Sequence, residues 1–344
     1  MLKGFYAVIS PKICEWIFSY LKLQRIMTTV NMLPKHSINV HRLLRFKGFI
    51  FLDCGIFSQF RKEISKKEIT NYRDELIERY KRLRPDVASS LDVPSLLWHP
   101  VEVKKQRSDW SIENYIYMKK KLGDSIPLFV GVSAFSPKSV EIIGKKIKEK
   151  IGAIRLIGLG GQVPLIKKAV LKPQLSKISL HTTFYLKKMF QDSHLHVYGA
   201  GGHRWYMLAR LLGADSADYA GFYQLTGRGQ IVLPGVGPRY ILKRIENEKR
   251  TYVRSEEELL KLNEFIKLLE CSCPACKENN FENLEYNREL RLIHNMYVSV
   301  SEATIVDNIL RESGKKELIK HIKNRLSSSH LKPLMNYAIR LAQK

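Results

Sequence analysis

The 344-residue sequence is poor in cysteine and poor in acid. Five cysteines are too few and too uneven for a disulfide scaffold. No apolar run approaches the ~18 residues that a membrane-spanning helix needs. The early stretch Gly4 to Ser10 is too short and too weakly flanked for a signal peptide, so a soluble, cytoplasmic chain with no membrane partner is expected. There is no internal repeat of roughly 20 to 50 residues and no low-complexity segment, which excludes solenoids and repeat arrays. Disorder is excluded too, because 44% hydrophobic and 26% charged residues are globular values.

The shortage of acid leaves a large cationic excess. Lys and Arg number 58 against 33 Asp and Glu, a formal charge of +25. The excess is spread along the chain, at Arg61 to Lys67, Lys104 to Arg107, Lys145 to Lys150, Lys243 to Arg250 and Lys315 to Arg325. One such run alone is an ordinary solvated helix face. The total draws polyanions at long range, and a nucleic-acid partner is expected.

Short apolar runs alternate with longer amphipathic ones, the pattern of an α/β protein built from βαβ units. Strands are predicted over Phe5 to Ile9, Gly48 to Asp53, Val87 to Leu91, Leu128 to Val132, Ala153 to Gly158, Leu195 to Tyr198 and near Ser216 to Tyr219. Helices are predicted over Glu63 to Arg82, Pro137 to Ile151, His203 to Leu212, Ser255 to Leu268 and Glu302 to Leu326. Several strands end in polar or glycine-rich turns: Asp53-Cys54-Gly55, Leu91-Asp92-Val93-Pro94, Gly158-Leu159-Gly160-Gly161 and Gly199-Ala200-Gly201-Gly202. If the strands close into a parallel barrel, the loops at their carboxyl ends converge on one mouth and bring three aspartates together. Residues 1–250 would form the barrel and residues 251–344 a helical C-terminal region packed on it.

Three cysteines fall within six residues, Cys271, Cys273 and Cys276, and His294 follows after 17 intervening residues. Three thiolates and an imidazole complete a tetrahedral zinc shell with no position left for water, the mark of a structural site. The alternative is three reduced thiols and an unrelated histidine. Cys14 and Cys54 read as structural thiols.

Six segments occur in a telling order. They are Phe51-Leu52-Asp53-Cys54-Gly55-Ile56-Phe57, then Pro85-Asp86-Val87 through Leu91-Asp92-Val93-Pro94, then Ile157-Gly158-Leu159-Gly160-Gly161-Gln162-Val163-Pro164-Leu165, then Val197-Tyr198-Gly199-Ala200-Gly201. Leu212-Gly213-Ala214-Asp215-Ser216-Ala217-Asp218 follows, and last the cysteine cluster with Ile293-His294-Asn295-Met296-Tyr297. The series, over roughly residues 48 to 300, resembles the tRNA-guanine transglycosylase superfamily, its archaeal-type branch more than its bacterial one. The resemblance implies a (β/α)8 TIM-like barrel with a zinc-binding C-terminal helical subdomain, an enzyme that exchanges guanine in a polynucleotide for a 7-deazaguanine base. It implies Asp218 as the nucleophile toward C1′, with Asp215 competing and the register favouring Asp218. Asp53 would be the general acid and base, and Asp92 would bind the amidine face of the base. Phe57 would stack on the base, while Gly160 and Gly161 would let backbone approach its edge.

The chemistry explains why carboxylates are wanted. Glycosidic cleavage passes through an oxocarbenium-like state that a carboxylate stabilises and can trap, and a second carboxyl group must move the proton of the base. The target nucleotide must be extruded or unpaired. Each aspartate also has an ordinary reading as a turn or capping residue.

The sequence departs from the family at Gly131-Val132-Ser133, where a glutamine-glycine pair is usual, and after Asp218, where the basic motif of bacterial tRNA enzymes is missing. The start upstream of Asp53 is short, and the stretch after His294 is too short for the RNA-binding extension of archaeal tRNA members. These departures favour the branch that inserts 7-deazaguanines into DNA. The alternatives are a tRNA enzyme and a non-catalytic nucleic-acid-binding paralogue. A homodimer is compatible with the sequence. A dinucleotide-dependent oxidoreductase, prompted by Gly199-Ala200-Gly201-Gly202, fails because the third fingerprint glycine would fall at Arg204.

Overall fold

A computed structural model describes residues 2–56, 64–167, 172–200, 202–234, 237–241, 244–247, 250–253, 255, 257, 271–279 and 283–344. Eight parallel strands close into a barrel in sequence order: β1 (Gly4–Val8), β2 (Arg25–Thr29), β3 (Phe49–Asp53), β4 (Val87–Ser89), β5 (Leu128–Ser133), β6 (Leu156–Gly160), β7 (His194–Val197) and β8 (Ser216–Tyr219). Closure runs through β1 and β8, with Gly4 opposite Ser216 and Tyr6 opposite Asp218. The expected (β/α)8 barrel is therefore present. Strand β2, absent from the sequence prediction, supplies the eighth stave, and β6 begins three residues later than predicted.

Strand alternation divides the residues between two cores. Tyr6, Val8, Met27, Phe51, Val87 and Phe129 fill the barrel interior. Their neighbours, such as Phe5, Ala7, Ile26, Ile50 and Leu52, face the surrounding helices. Since the side-chain period is two, the residue two positions beyond each interior residue also points inward, one layer nearer the carboxyl end. Phe51 thus leads to Asp53, Val87 to Ser89 and Phe129 to Gly131. The hydrophobic filling specifies which residues line the mouth.

The helices are those a barrel needs. Lys66–Leu83 opens with a capping box between Ser65 and Glu68, and Pro137–Lys150 is capped by Ser136. Two long helices, Val101–Leu122 and Pro173–Met189, were not predicted. The predicted helix Ser255 to Leu268 lies almost wholly outside the described residues. The predicted helix Glu302 to Leu326 is two helices, Arg288–Glu312 and Gly314–Leu326, separated at Ser313, and the φ of +76° at Gly314, which opens the second, suits glycine.

Helix Arg288–Glu312 lies against β1 and the helices His203–Leu211 and Gly221–Gly227. Asp307 fastens it, accepting hydrogen bonds from Tyr206 Oη at 2.8 Å and Arg210 Nε at 2.8 Å. At its other end Asn295 takes the N–H of Val232 at 2.6 Å and donates to Thr226 Oγ1 and the Gln230 carbonyl. Val232 belongs to β9 (Gln230–Leu233), which pairs antiparallel with β10 (Gly237–Tyr240). Among the described residues no helix is long and apolar enough to cross a membrane.

Candidate active site

Asp53 ends β3, Asp92 follows β4 and Asp218 lies in β8, so all three carboxylates stand at the carboxyl ends of barrel strands. They are close enough to feel one another. Burial raises the Asp53 carboxyl to about 7; the charge of Asp92 and then that of Asp218 add to the rise, and the Gly55 N–H and Ser89 hydroxyl oppose it. Those two donors lie 3.0 Å from Oδ2 and 3.1 Å from Oδ1 of Asp53. Asp53 can therefore hold or release a proton near neutrality, as a general acid and base must.

Asp92 is also raised by burial, opposed by the Cys54 thiol, which donates to Oδ1 at 3.3 Å. Burial and the charges of Asp53 and Asp92 keep that thiol protonated, with a pKa well above the ordinary value. Cys54 is thus a hydrogen-bond donor to the site rather than a nucleophile. Glycines make room for Asp92. A Cβ on Gly131 would fall 2.4 Å from the Asp92 Cβ, and one on Gly160 would fall 3.2 Å from its Oδ2. Gly161 has φ +74°, and a side chain there would meet the Ser95 carbonyl at 2.8 Å. Phe57 lies outside the described residues.

Asp218 is held differently. Its Oδ1 accepts from the Gly199 N–H at 2.8 Å and from His196 Nε2 at 3.2 Å, while Oδ2 has no hydrogen-bond partner among the described residues. One oxygen is anchored by two donors and the other is not. Asp215 sits at the opposite end of β8. It pairs with Lys187 at 2.9 Å and with Lys3 at 3.5 Å, and accepts the Leu195 N–H at 3.0 Å. Burial would raise its carboxyl, but the Lys187 hydrogen bond and the Leu195 N–H hold it below the usual range. Asp215 is a structural anion at the base of the barrel.

Four site residues escaped the sequence reading: Ser89, His196, Tyr198 and Ser216. Ser89 Oγ lies 2.9 Å from Tyr198 Oη, which extends the Asp53 network across to β7. Gly158 leaves space for that phenol, since a Cβ there would be 2.4 Å from the Tyr198 ring. The signal was present, because the alternation that turns Phe51 inward also turns Asp53 inward, and His196 likewise leads to Tyr198.

A second constellation lies beside β9. His294 Nδ1 is 3.6, 3.4 and 3.3 Å from the sulfurs of Cys271, Cys273 and Cys276. All four donor atoms fall within 4.8 Å of one another. A tetrahedral zinc ion with Zn–S of ~2.3 Å and Zn–N of ~2.0 Å separates sulfur from nitrogen by roughly 3.5 Å, so the donors already have the spacing of a zinc shell. The other ring nitrogen, Nε2, lies 2.8 Å from the Val232 carbonyl, which fixes the ring with Nδ1 toward the sulfurs. The cluster can hold a metal ion such as zinc.

Comparison with known proteins agrees with this geometry. The chain is 24% identical over 300 residues to a protein of Methanocaldococcus jannaschii named tRNA-guanine(15) transglycosylase, covering 81% of this chain and 40% of that protein. Proteins of the same name from Pyrococcus furiosus and Aeropyrum pernix are 24% identical over 288 residues and 22% identical over 305. Those alignments cover 81% and 84% of this chain, and 43% and 52% of the relatives. The similarity is to the tRNA-guanine transglycosylase superfamily. No family model matches the chain. The chain spans about half the length, or less, of the curated relatives it matches.

Proposed function

We propose that the protein is a base-exchange transglycosylase that replaces guanine in a nucleic acid with a 7-deazaguanine derivative. One observation carries the reading: three carboxylates meet at the mouth of the barrel, one of them with a pKa near 7 and another with one oxygen that has no hydrogen-bond partner among the described residues. In this scheme Asp218 Oδ2 attacks C1′ as the glycosidic bond breaks, and the bonding pair leaves with guanine. Protonated Asp53 gives its proton to the departing base. The resulting glycosyl ester on Asp218 is opened by the incoming base, whose ring N–H proton passes to the Asp53 carboxylate as the new C–N bond forms. Both carboxyl groups end as they began.

Asp92 accepts hydrogen bonds from the ring N–H and amino group of the guanine-like base, and Gly160 and Gly161 leave backbone bare beside it. Phe57 is assigned to stacking by the resemblance. The covalent intermediate survives only where water is kept out while the bases exchange. Cys271, Cys273, Cys276 and His294 would hold zinc. With four protein donors and no place for water, the ion would pin the helix around Arg288 to Val298 onto the cysteine loop within the C-terminal region, residues 251–344, proposed to pack on the barrel, residues 1–250, and it would take no part in the exchange. The site of action we propose is the cytoplasm.

Two polymers are in play. The relatives are named for action on tRNA, whereas the missing basic motif after Asp218 favours DNA. Incubation of the protein with tRNA, duplex DNA or single-stranded DNA, labelled guanine and a 7-deazaguanine base, followed by digestion to nucleosides and mass spectrometry, separates them. Incorporation into one polymer identifies the substrate. Binding of nucleic acid with no exchange into any of them would mean a non-catalytic paralogue and would overturn the proposal.

A further inference from the structure

The side chain that holds Asp218 belongs to a line of hydrogen bonds running down the barrel. His196 Nε2 lies 3.2 Å from Asp218 Oδ1, and His196 Nδ1 lies 2.9 Å from Ser216 Oγ. Ser216 Oγ in turn lies 2.7 Å from His194 Nε2. Ser216 and His196 are fully buried. Nothing in the proposed mechanism uses these three residues, and polar groups in a barrel core need a reason to be there.

The proton count gives the line a direction. An ionised carboxylate only accepts, so His196 Nε2 must carry hydrogen. In a neutral imidazole that leaves Nδ1 as an acceptor, which the Ser216 hydroxyl satisfies by donating its single proton. Ser216 Oγ then accepts from His194 Nε2–H. Burial lowers His194 to about 3, so this outer ring is neutral and supplies that N–H without adding charge. Every donor points toward Asp218. Reversing the middle link would turn a lone pair of His196 against the carboxylate or demand a second proton on its ring.

The ring has little freedom to do otherwise. Aromatic centroids surround it: Tyr198 at 4.7 Å, Phe51 at 4.9 Å, Phe129 at 5.7 Å and Tyr6 at 5.9 Å. The rings fix its orientation and the hydroxyl fixes its tautomer, so the N–H meets Asp218 Oδ1 beside the Gly199 N–H, which donates to the same oxygen. Two fixed donors on one oxygen prevent the carboxylate from rotating and leave Oδ2 aimed away from them.

We propose that His196, locked in its Nε2–H tautomer by Ser216 and His194, is a positioning residue that presents Oδ2 of Asp218 to the sugar carbon. The inference rests on Asp218 being the nucleophile, and the tests separate the two. Histidine 15N NMR on the whole protein at pH 7.5 reads the tautomer without any assay of activity. The expected spectrum for His196 has a protonated Nε2 and a bare Nδ1; protonation of Nδ1, alone or with Nε2, overturns the proposal. In guanine exchange, His196→Leu is expected to lower kcat roughly 100-fold with KM changed less than threefold, while His196→Gln, which keeps an N–H donor near the same place, recovers at least tenfold of that loss. Ser216→Ala is expected to lower kcat about tenfold and to mix the tautomers in the spectrum. Equal loss in the Leu and Gln variants would make the ring a packing element and defeat the proposal. Exchange that persists in Asp218→Asn would instead defeat the nucleophile assignment, whatever the tautomer of His196.

Discussion

Removal of the Ser89 hydroxyl should move the proton of Asp53 in a known direction. Its hydrogen bond to Oδ1 favours the ionised carboxylate and so lowers a pKa that burial and neighbouring charge have raised to about 7. At 3.1 Å the contact is longer than the 2.5–2.7 Å typical of a hydroxyl on a carboxylate, which puts its contribution near the low end, about 1 kcal/mol. At 1.36 kcal/mol per pH unit, Ser89→Ala raises the Asp53 pKa by roughly 0.7. Asp92→Asn has the opposite sign, because it removes the largest charge that raises Asp53. Two readouts follow these shifts. Carboxyl 13C NMR of the free protein reports the titration of Asp53 directly. Single-turnover guanine release, which needs protonated Asp53, should fall above about pH 7 in the wild type and about 0.7 of a unit higher in Ser89→Ala. An unchanged midpoint, or movement of both variants in the same direction, would refute the assignment of Asp53 as the proton carrier.

Asp53→Asn should abolish exchange and stabilise the fold. A folded-state pKa raised from 3.8 to about 7 means that ionised Asp53 costs stability as the pH climbs from about 4 to about 7, so the variant should match the wild type at pH 4 and exceed it at pH 8 by roughly 2–4 kcal/mol in urea unfolding. A lack of pH dependence in that difference would contradict the raised pKa. Gly131→Ala should push Asp92 aside, and the KM for the incoming base should rise at least tenfold, about 1.4 kcal/mol, with a melting temperature close to the wild type; an unchanged KM would remove Asp92 from base binding. Cys273→Ser, or exhaustive chelation, should lower bound zinc and thermal stability together, and a fully chelated protein that melts normally would end the structural-zinc reading.

Much of the barrel could be read from the sequence because strand ends announce themselves in polar and glycine-rich turns. The metal cluster could be read because ligand spacing is nearly independent of context. Strand β2 was missed because Arg25-Ile26-Met27-Thr28-Thr29 is covered on both faces of the barrel and has no apolar-polar alternation. Helix Val101–Leu122 hid its character in a polar first half, with its buried apolar residues only from Ile112 onward. Helix Pro173–Met189 buries Ser176, Ser179, Thr182 and Thr183, so its inner face does not look apolar. At the site, Asp53, Asp92 and Asp218 came from the resemblance and meet in space; its register already favoured Asp218 over Asp215, and the structure adds that Asp215 precedes β8 and is paired with Lys187 and Lys3. The histidine line behind Asp218 was invisible for a different reason. Only a closed barrel turns His194, His196 and Ser216 toward one another.

The central claim is tested most directly by finding where the sugar becomes attached. The protein, quenched with denaturant during turnover on whichever polymer supports exchange, should retain a covalent nucleotide adduct, and peptide mass spectrometry should locate it on Asp218. A stable adduct on another carboxylate, or undiminished exchange by Asp218→Asn with no adduct at all, would contradict the account.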